Sequence, residues 1–281
     1  MAITVLIEPW RADPLAWIHR AEARAVAREL RDSGAAAPLR LFRGAGRLDG
    51  LRQGPLLLRL SDPVMLAAVR ALAHAAIPYV GPGAPALERC YDKYSASRLA
   101  AAGGVDIPAT ELANGADGLP FPLLVKPRRG SDSIGLRLIR AGPLPARLRA
   151  DGFIAQEFVR GSELTVATLH GEAGVPLEIL LPEGVPYSFW RKYLLRPRRR
   201  PVQDPALRER VRETARRIVG VLGVDWAARV DFIHEAATGR LRFLECDAAP
   251  LVGPASAFAA SLAAAGMDRR EQLRQLLART N

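Results

Sequence analysis

The sequence predicts a mixed α/β protein, and three observations carry that prediction. Roughly the first 80 residues alternate short apolar runs with amphipathic helical stretches, the pattern of a βαβ unit with a small parallel sheet. From Phe121 the character changes to a succession of strands. Near the C-terminus two apolar segments, AARVDFI (227–233) and RLRFLE (240–245), flank Ala237-Thr238-Gly239 as a hairpin.

The elements follow in order. Ile3–Glu8 is a short apolar strand, and Asp13-Pro14 supplies an N-cap with proline at the first helical position. Leu15, Ile18, Ala21, Ala25, Val26 and Leu30 recur at helical spacing, and Gly34 supplies the stop. Pro38–Phe42 and Leu56–Leu60 are strands, Ser61-Asp62-Pro63 caps a helix running to about Ala76, and IPYVG (77–81) returns to strand. No GxGxxG follows the first strand, so a dinucleotide-binding fold gains no support. One helical segment spans about Pro85 to Ala102 and closes at Gly103-Gly104. FPLLVKP, SIGLRLIR, FIAQEFV, ELTVATL and PLEILLP then read as strands, followed by an amphipathic helix from Pro205 to Leu222. Two short helices near 255–265 and 268–279 complete the chain.

The 281 residues carry a formal charge of +11, which invites a nucleic-acid reading. Only three of the forty basic residues are lysines, however: Lys93, Lys126 and Lys192. So strong a preference for arginine is that of a codon bias filling ordinary surface positions, and the arginines lie on many segments. Their one dense run, RPRRRP (196–201), reads as a solvated loop. Where arginine is used so freely, a lysine marks a position that needs a compact point charge. No stretch has the length of a bilayer span, and two cysteines make no disulfide framework, so the expected compartment is the reducing cytoplasm.

Two constellations carry chemistry. In LLVKPRRGSDSIGLRLIR (123–140) a strand ends in Lys126, and a tight loop of small residues that includes Ser131 and Ser133 leads to the next strand. Small residues let backbone N–H groups approach phosphate oxygens, and the ammonium neutralises their charge. GxxxxGK[ST] is absent, so this is not a Walker A loop. A plain hairpin with a solvated lysine is the alternative. The second constellation is Asp231 on one strand of the C-terminal hairpin with Glu245 and Asp247 on the other. Residues two apart share a face, so three carboxylates converge. Such hard oxygen donors suit magnesium; Arg229, two before Asp231, offers a structural ion-pair network instead. The four histidines have no metal-ligand spacing and read as surface or packing residues. Gly-x-Ser-x-Gly is absent, so a nucleophilic hydrolase has no foothold.

Taken together, from about Ile77 to Met267, these pieces resemble the ATP-grasp superfamily, D-alanine–D-alanine ligase-like branch. IPYVGPG followed by DKYSASRLAAAGGVDIPAT resembles its entry segment, VKPRRGSDSIG its phosphate-covering loop, QEFVRGSELTV its adenine hinge, FWRKYL its mobile loop, and RVDF with LECDAAP its paired magnesium strands. The resemblance implies an N-terminal substrate domain (1–84), a lid subdomain (85–160) and a C-terminal antiparallel-sheet subdomain (161–281) clamping ATP. It implies nucleotide contacts at Lys93, Lys126, Ser131, Ser133, Gln156, Phe158, Val159 and Glu163, with Lys192 on the γ-phosphate and Tyr193 beside it. It places two Mg²⁺ ions, replaceable by Mn²⁺, on Asp231, Glu245 and Asp247, and an oxyanion contact on Arg229. Ser256 matches a serine facing the second substrate.

The implied activity is an ADP-forming ligase that joins a small carboxylate to an amine through an acyl phosphate. The alternatives are an ATP-grasp kinase, an intramolecular cyclo-ligase or an inactive nucleotide-binding protein. Neither a nucleic acid nor a membrane is expected as partner; a homodimer is compatible. The chain departs from the branch at Asp247, where the family has asparagine, at Asp132 in the phosphate loop, and at Leu251, where the ligases have glycine. It also lacks their Glu-containing serine-rich N-terminal motif. The expectation is therefore an amino-acid-like substrate other than D-alanine.

Overall fold

The computed structural model describes residues 2–9, 16–52, 54–130, 135–180 and 198–281. The expected cap at Asp13-Pro14, together with Ser131, Ser133, Lys192 and Tyr193, lies outside the described residues.

The N-terminal unit contains β1 (Thr4–Ile7), α1 (Ala16–Asp32), β2 (Leu39–Leu41), β3 (Leu56–Arg59), α2 (Asp62–His74) and β4 (Tyr79–Val80). Its four strands form a parallel sheet in the order β2-β1-β3-β4, as the alternation predicts. All four residues of β3 are buried, the mark of a strand covered on both faces. Ser61 takes the N-cap position of α2, but its hydroxyl donates to the buried Glu8 carboxylate at 2.6 Å instead of capping.

The segment expected as one helix is two, α3 (Ala84–Tyr91) and α4 (Lys93–Ala102). Asp92 breaks it. Its backbone is extended, and its side chain accepts from the Ser95 amide at 3.1 Å, which starts a new helix with Lys93 in the first turn. β5 (Thr110–Leu112), β6 (Leu123–Pro127), β7 (Arg137–Ile139) and β8 (Phe153–Glu157) form an antiparallel sheet in the order β5-β8-β6-β7. This sheet has a small core of its own, with Leu123, Val125 and Ala155 against Leu144 and Leu148.

The rest of the chain builds the largest sheet. Its elements are β9 (Gly161–Leu169), β10 (Glu172–Ala173), β11 (Leu177–Ile179), β12 (Arg199–Pro201), α5 (Pro205–Leu222), β13 (Ala227–Glu235), β14 (Leu241–Asp247), α6 (Ala257–Ala264) and α7 (Arg269–Leu276). The strand order is β12-β11-β9-β13-β14, with β10 on β9. RPRRRP is thus not simply a loop: Arg199–Pro201 pairs antiparallel with β11 at the sheet edge, with all three residues exposed. Arginine and proline suit an edge, because they resist further strand addition.

α5 begins on Asp204, which accepts from the Ala206 amide at 2.9 Å, and ends on Gly223 at φ +66. Its Val211, Ala215, Ile218 and Leu222 belong to one core with Val166, Val230, Phe232 and Phe243 of the sheet and Leu87 and Ala96 of α3 and α4. Phe232 and Phe243 meet edge to face at 6.3 Å; burying each ring contributes about 1.5–3 kcal/mol. A second core joins Val5 and Val26 of the N-terminal unit to Ala167, Trp226 and Phe258. On the face of β13 and β14 away from Phe232 and Phe243 stand Arg229, Asp231, Glu245 and Asp247.

Candidate active site

The register of the largest sheet sets the polar face. Asp231 lies between Thr165 of β9 and Glu245 of β14, and Arg229, one row along, lies between Ala167 and Asp247. A bulge between Asp231 and Phe232 leaves Leu244 as an extra residue on β14. It lets Phe243 and Cys246, three apart, both remain buried while Glu245 and Asp247 share the face of Asp231. The face-sharing read from the sequence holds, and the spacing of two then three at Leu241, Phe243 and Cys246 is the signal that reveals the bulge.

Arg229 is the hub of this face. Its Nη2 lies 3.0 Å from Asp231 Oδ2 and 3.8 Å from Glu245 Oε1, and its Nη1 3.4 Å from Asp247 Oδ2. Asp231 also accepts from the Thr165 hydroxyl at 2.7 Å, and Asp247 from the Ala249 amide at 3.0 Å. Burial works against the guanidinium charge, but attraction to Asp231, Asp247 and Glu245 outweighs it and holds the group firmly protonated.

Lys126, on β6 of the small sheet, faces this cluster. Burial, aided by Lys93 and opposed by Glu245, Glu163 and Asp231, brings its ammonium down to about 8. Its Nζ donates to Gln156 Oε1 at 3.1 Å. Gln156 is buried on β8 and gives its Nε2 to the Thr110 hydroxyl at 2.9 Å, which donates in turn to the Pro108 carbonyl. That relay fixes the amide orientation and aims Lys126. Lys93 donates to the Gly130 carbonyl. Asp92 beside it takes a bidentate pair from Arg128, with Nη2 at 2.7 Å. Burial raises the Asp92 carboxyl, but the Arg128 hydrogen bond and charge prevail and hold it below its ordinary range.

The strand junction at Arg160-Gly161 stands where the adenine hinge is expected. A Cβ on Gly161 would lie 2.0 Å from the His234 carbonyl, so this close approach of β9 to β13 requires glycine. The Phe158 N–H is already donated to Pro122 O at 2.9 Å, so a purine contact there falls to its carbonyl. Val159 is buried, and Glu163 is half-buried in register with Ile233.

Two features escaped the sequence reading. His19 of α1, read as a surface or packing residue, is buried and lines a cavity of about 50 Å³ with Lys93, Arg229, Glu245 and Asp247. Glu22 and Arg59 form a buried pair at 2.8 Å that grips the loop after β14: Arg59 Nη2 donates to Pro250 O at 2.7 Å, and the Val252 and Gly253 amides donate to Glu22 Oε1 at 2.7 and 2.8 Å. No local pattern marks a pair 37 residues apart. This loop carries Leu251, which lines both the small cavity and a larger one of about 400 Å³ beyond Arg229. Ser256, also on the larger cavity, caps α6 by accepting from the Ala259 amide at 3.0 Å.

The carboxylates fit a divalent metal chemically. Among the described residues, no group of three or more histidine, cysteine, aspartate or glutamate side chains closes into a metal cage. Magnesium needs none, since it is usually held by one or two carboxylates together with substrate phosphates. Asp231, Glu245 and Asp247 offer oxygen donors alone, on one face of the sheet.

Comparison with known proteins bears on the family and the fold. The family model "D-ala D-ala ligase C-terminus" matches residues 107–278. A D-alanine–D-alanine ligase of Acidiphilium cryptum is 32% identical over 212 residues, covering 70% of this chain and 69% of the relative. The crystal structure of D-alanine–D-alanine ligase from Bacillus anthracis shares the fold with a TM-score of 0.83 at 20% identity, covering 99% of this chain and 96% of that one. The VanG D-Ala:D-Ser ligase of Enterococcus faecalis does so at 0.80 and 18%, covering 99% and 98%. With more than half its length matched by the family model and a relative above 30% identity, this chain belongs to the D-alanine–D-alanine ligase family, ADP-forming ATP-grasp enzymes that use ATP and a divalent metal ion to make a carbon–nitrogen bond.

Proposed function

We propose that the chain joins an amino-acid-like carboxylate to an amine, with a substrate other than D-alanine. The observation that supports this best is Arg229 among Asp231, Glu245 and Asp247, with Lys126 facing them from the small sheet. A substrate carboxylate oxygen attacks the γ-phosphorus of ATP, the bond to ADP breaks, and an acyl phosphate forms. The amine nitrogen then attacks the acyl carbon, phosphate leaves with the carbon–oxygen bond pair, and the nitrogen loses a proton to give the amide.

Lys126 and Lys93 neutralise phosphate oxygens, Gln156 keeps Lys126 aimed, and the backbone of Phe158 and Val159 receives adenine, with Glu163 on the ribose. Arg229 stabilises the oxyanion of the tetrahedral intermediate. Asp231, Glu245 and Asp247 would hold two Mg²⁺ ions, which Mn²⁺ can replace and which offset charge developing on the transferring phosphoryl group. Ser131 and Ser133 serve the phosphates, Lys192 and Tyr193 the γ-phosphate, and Ser256 the second substrate. Divisions at 1–84, 85–160 and 161–281, a cytoplasmic location and a homodimer complete the proposal. The departure from D-alanine is supported by Leu251, which fills the position of a family glycine, and by a sequence without the family's Glu-containing serine-rich motif.

The test is incubation with ATP, Mg²⁺, an amino-acid library and hydroxylamine. Acyl hydroxamate and amine-dependent phosphate release are expected; neither appearing across a broad library sinks the reading. Asp231→Asn and Glu245→Gln should each lower turnover by about 10²-fold or more while leaving the thermal midpoint nearly unchanged.

A further inference from the structure

The lining of the larger cavity beyond Arg229 mixes two kinds of group. Thr165, Arg229, Asp231 and Ser256 supply polar atoms, whereas Trp17, Ile18, Ala21 and Leu251 supply apolar surface. Two other charged groups of the lining are already engaged: Glu22 holds Arg59 and two backbone amides, and Arg199 Nη2 donates to Ala255 O at 3.2 Å. Trp17 stands 49% exposed at the wall. A large indole left half in water beside a cavity is a contact surface for an apolar group.

Size points the same way. The cavity holds about 400 Å³, room for roughly a dozen water molecules at ~30 Å³ each, about twice the non-hydrogen atoms of alanine. A methyl side chain would leave the half-exposed Trp17 uncovered.

We propose that this cavity is the side-chain subsite for an aliphatic or aromatic amino acid larger than alanine, seated against Trp17, Ile18 and Leu251 with its polar end at Arg229 and Ser256. The proposal rests on the ligase reading and adds the substrate class. Each extra methylene in a fitted apolar pocket is worth about 10-fold or more in kcat/KM, so leucine-sized side chains should exceed alanine by at least about that factor.

The experiment measures phosphate release with ATP, Mg²⁺ and single D- and L-amino acids graded from glycine and alanine to valine, leucine and phenylalanine. It is repeated in Ala21→Phe, a substitution at an exposed helix position on the cavity wall whose thermal midpoint reports retained fold. A rise with side-chain size in the wild type that reverses in Ala21→Phe is the expected result. A best rate with glycine or alanine leaves the ligase reading standing and overturns the subsite. A size preference unchanged by Ala21→Phe overturns its assignment to this cavity. Failure of every one of these amino acids to raise phosphate release overturns the ligase reading and the subsite together.

Discussion

Lys126 loses its proton at about 8, against an ordinary 10.5, because burial disfavours the ammonium more than Glu245, Glu163 and Asp231 favour it. A phosphate favours the charged form. Below that pH the empty site is already protonated and binding takes up no proton there; above it, binding must first recover one. The apparent Kd for ATP should therefore be flat in acid and rise by about tenfold per pH unit above roughly pH 8. In Lys126→Arg, whose guanidinium stays charged, that rise should disappear; titration calorimetry across the range reads both, and a flat wild-type profile contradicts the phosphate contact. The scarcity of lysine singled out Lys126 and Lys93 in the sequence. His19 was not, since a lone histidine at a buried helical position has no spacing to betray a cavity on the far side of the fold.

At the scale of elements, the loop between β14 and α6 takes its shape from α1 and β3. The Arg59 side chain is 1% exposed and that of Glu22 9%, so removing the negative charge strands a buried cation. Glu22→Gln should cost about 3 kcal/mol in urea unfolding. It should also raise KM for the amino-acid substrate several-fold with little change for ATP, because Leu251 and its neighbours lose their anchor while Lys126 and Gln156 keep theirs. Equal changes in both KM values would reduce the pair to a purely structural role. Local pattern located most strands and the bounds of α5, whose caps lie within a few residues of the element. It missed the break at Asp92, where the cap competes with an otherwise continuous helical run, and β12, whose pairing partner supplies what its composition lacks.

Across the whole molecule, stability is shared unevenly. The N-terminal unit is tied into the large sheet through both main cores, whereas β5, β6, β7 and β8 enclose a small core of their own. Local opening follows buried apolar packing. Backbone amides of β6 and β8 should exchange with deuterium faster than those of β9 and β13, and bound ATP should slow them by drawing Lys126 toward the carboxylate row. Exchange equal in the two sheets would contradict this. The order of sheets along the chain was readable from alternation, but the packing of α3 and α4 onto α5 and β14 was not, because it depends on contacts more than a hundred residues apart. No helix among the described residues is long and apolar enough to cross a membrane. The bulge at Leu244 has a consequence for how such a site diverges. Phe243 and Glu245 already face successive residues, Phe232 and Asp231, so losing the codon for Leu244 would leave every other side of β14 in phase. A lineage can thus add or remove one apolar residue beside the carboxylates by a single in-frame codon change, and edit the floor of the site without refolding the sheet beneath it.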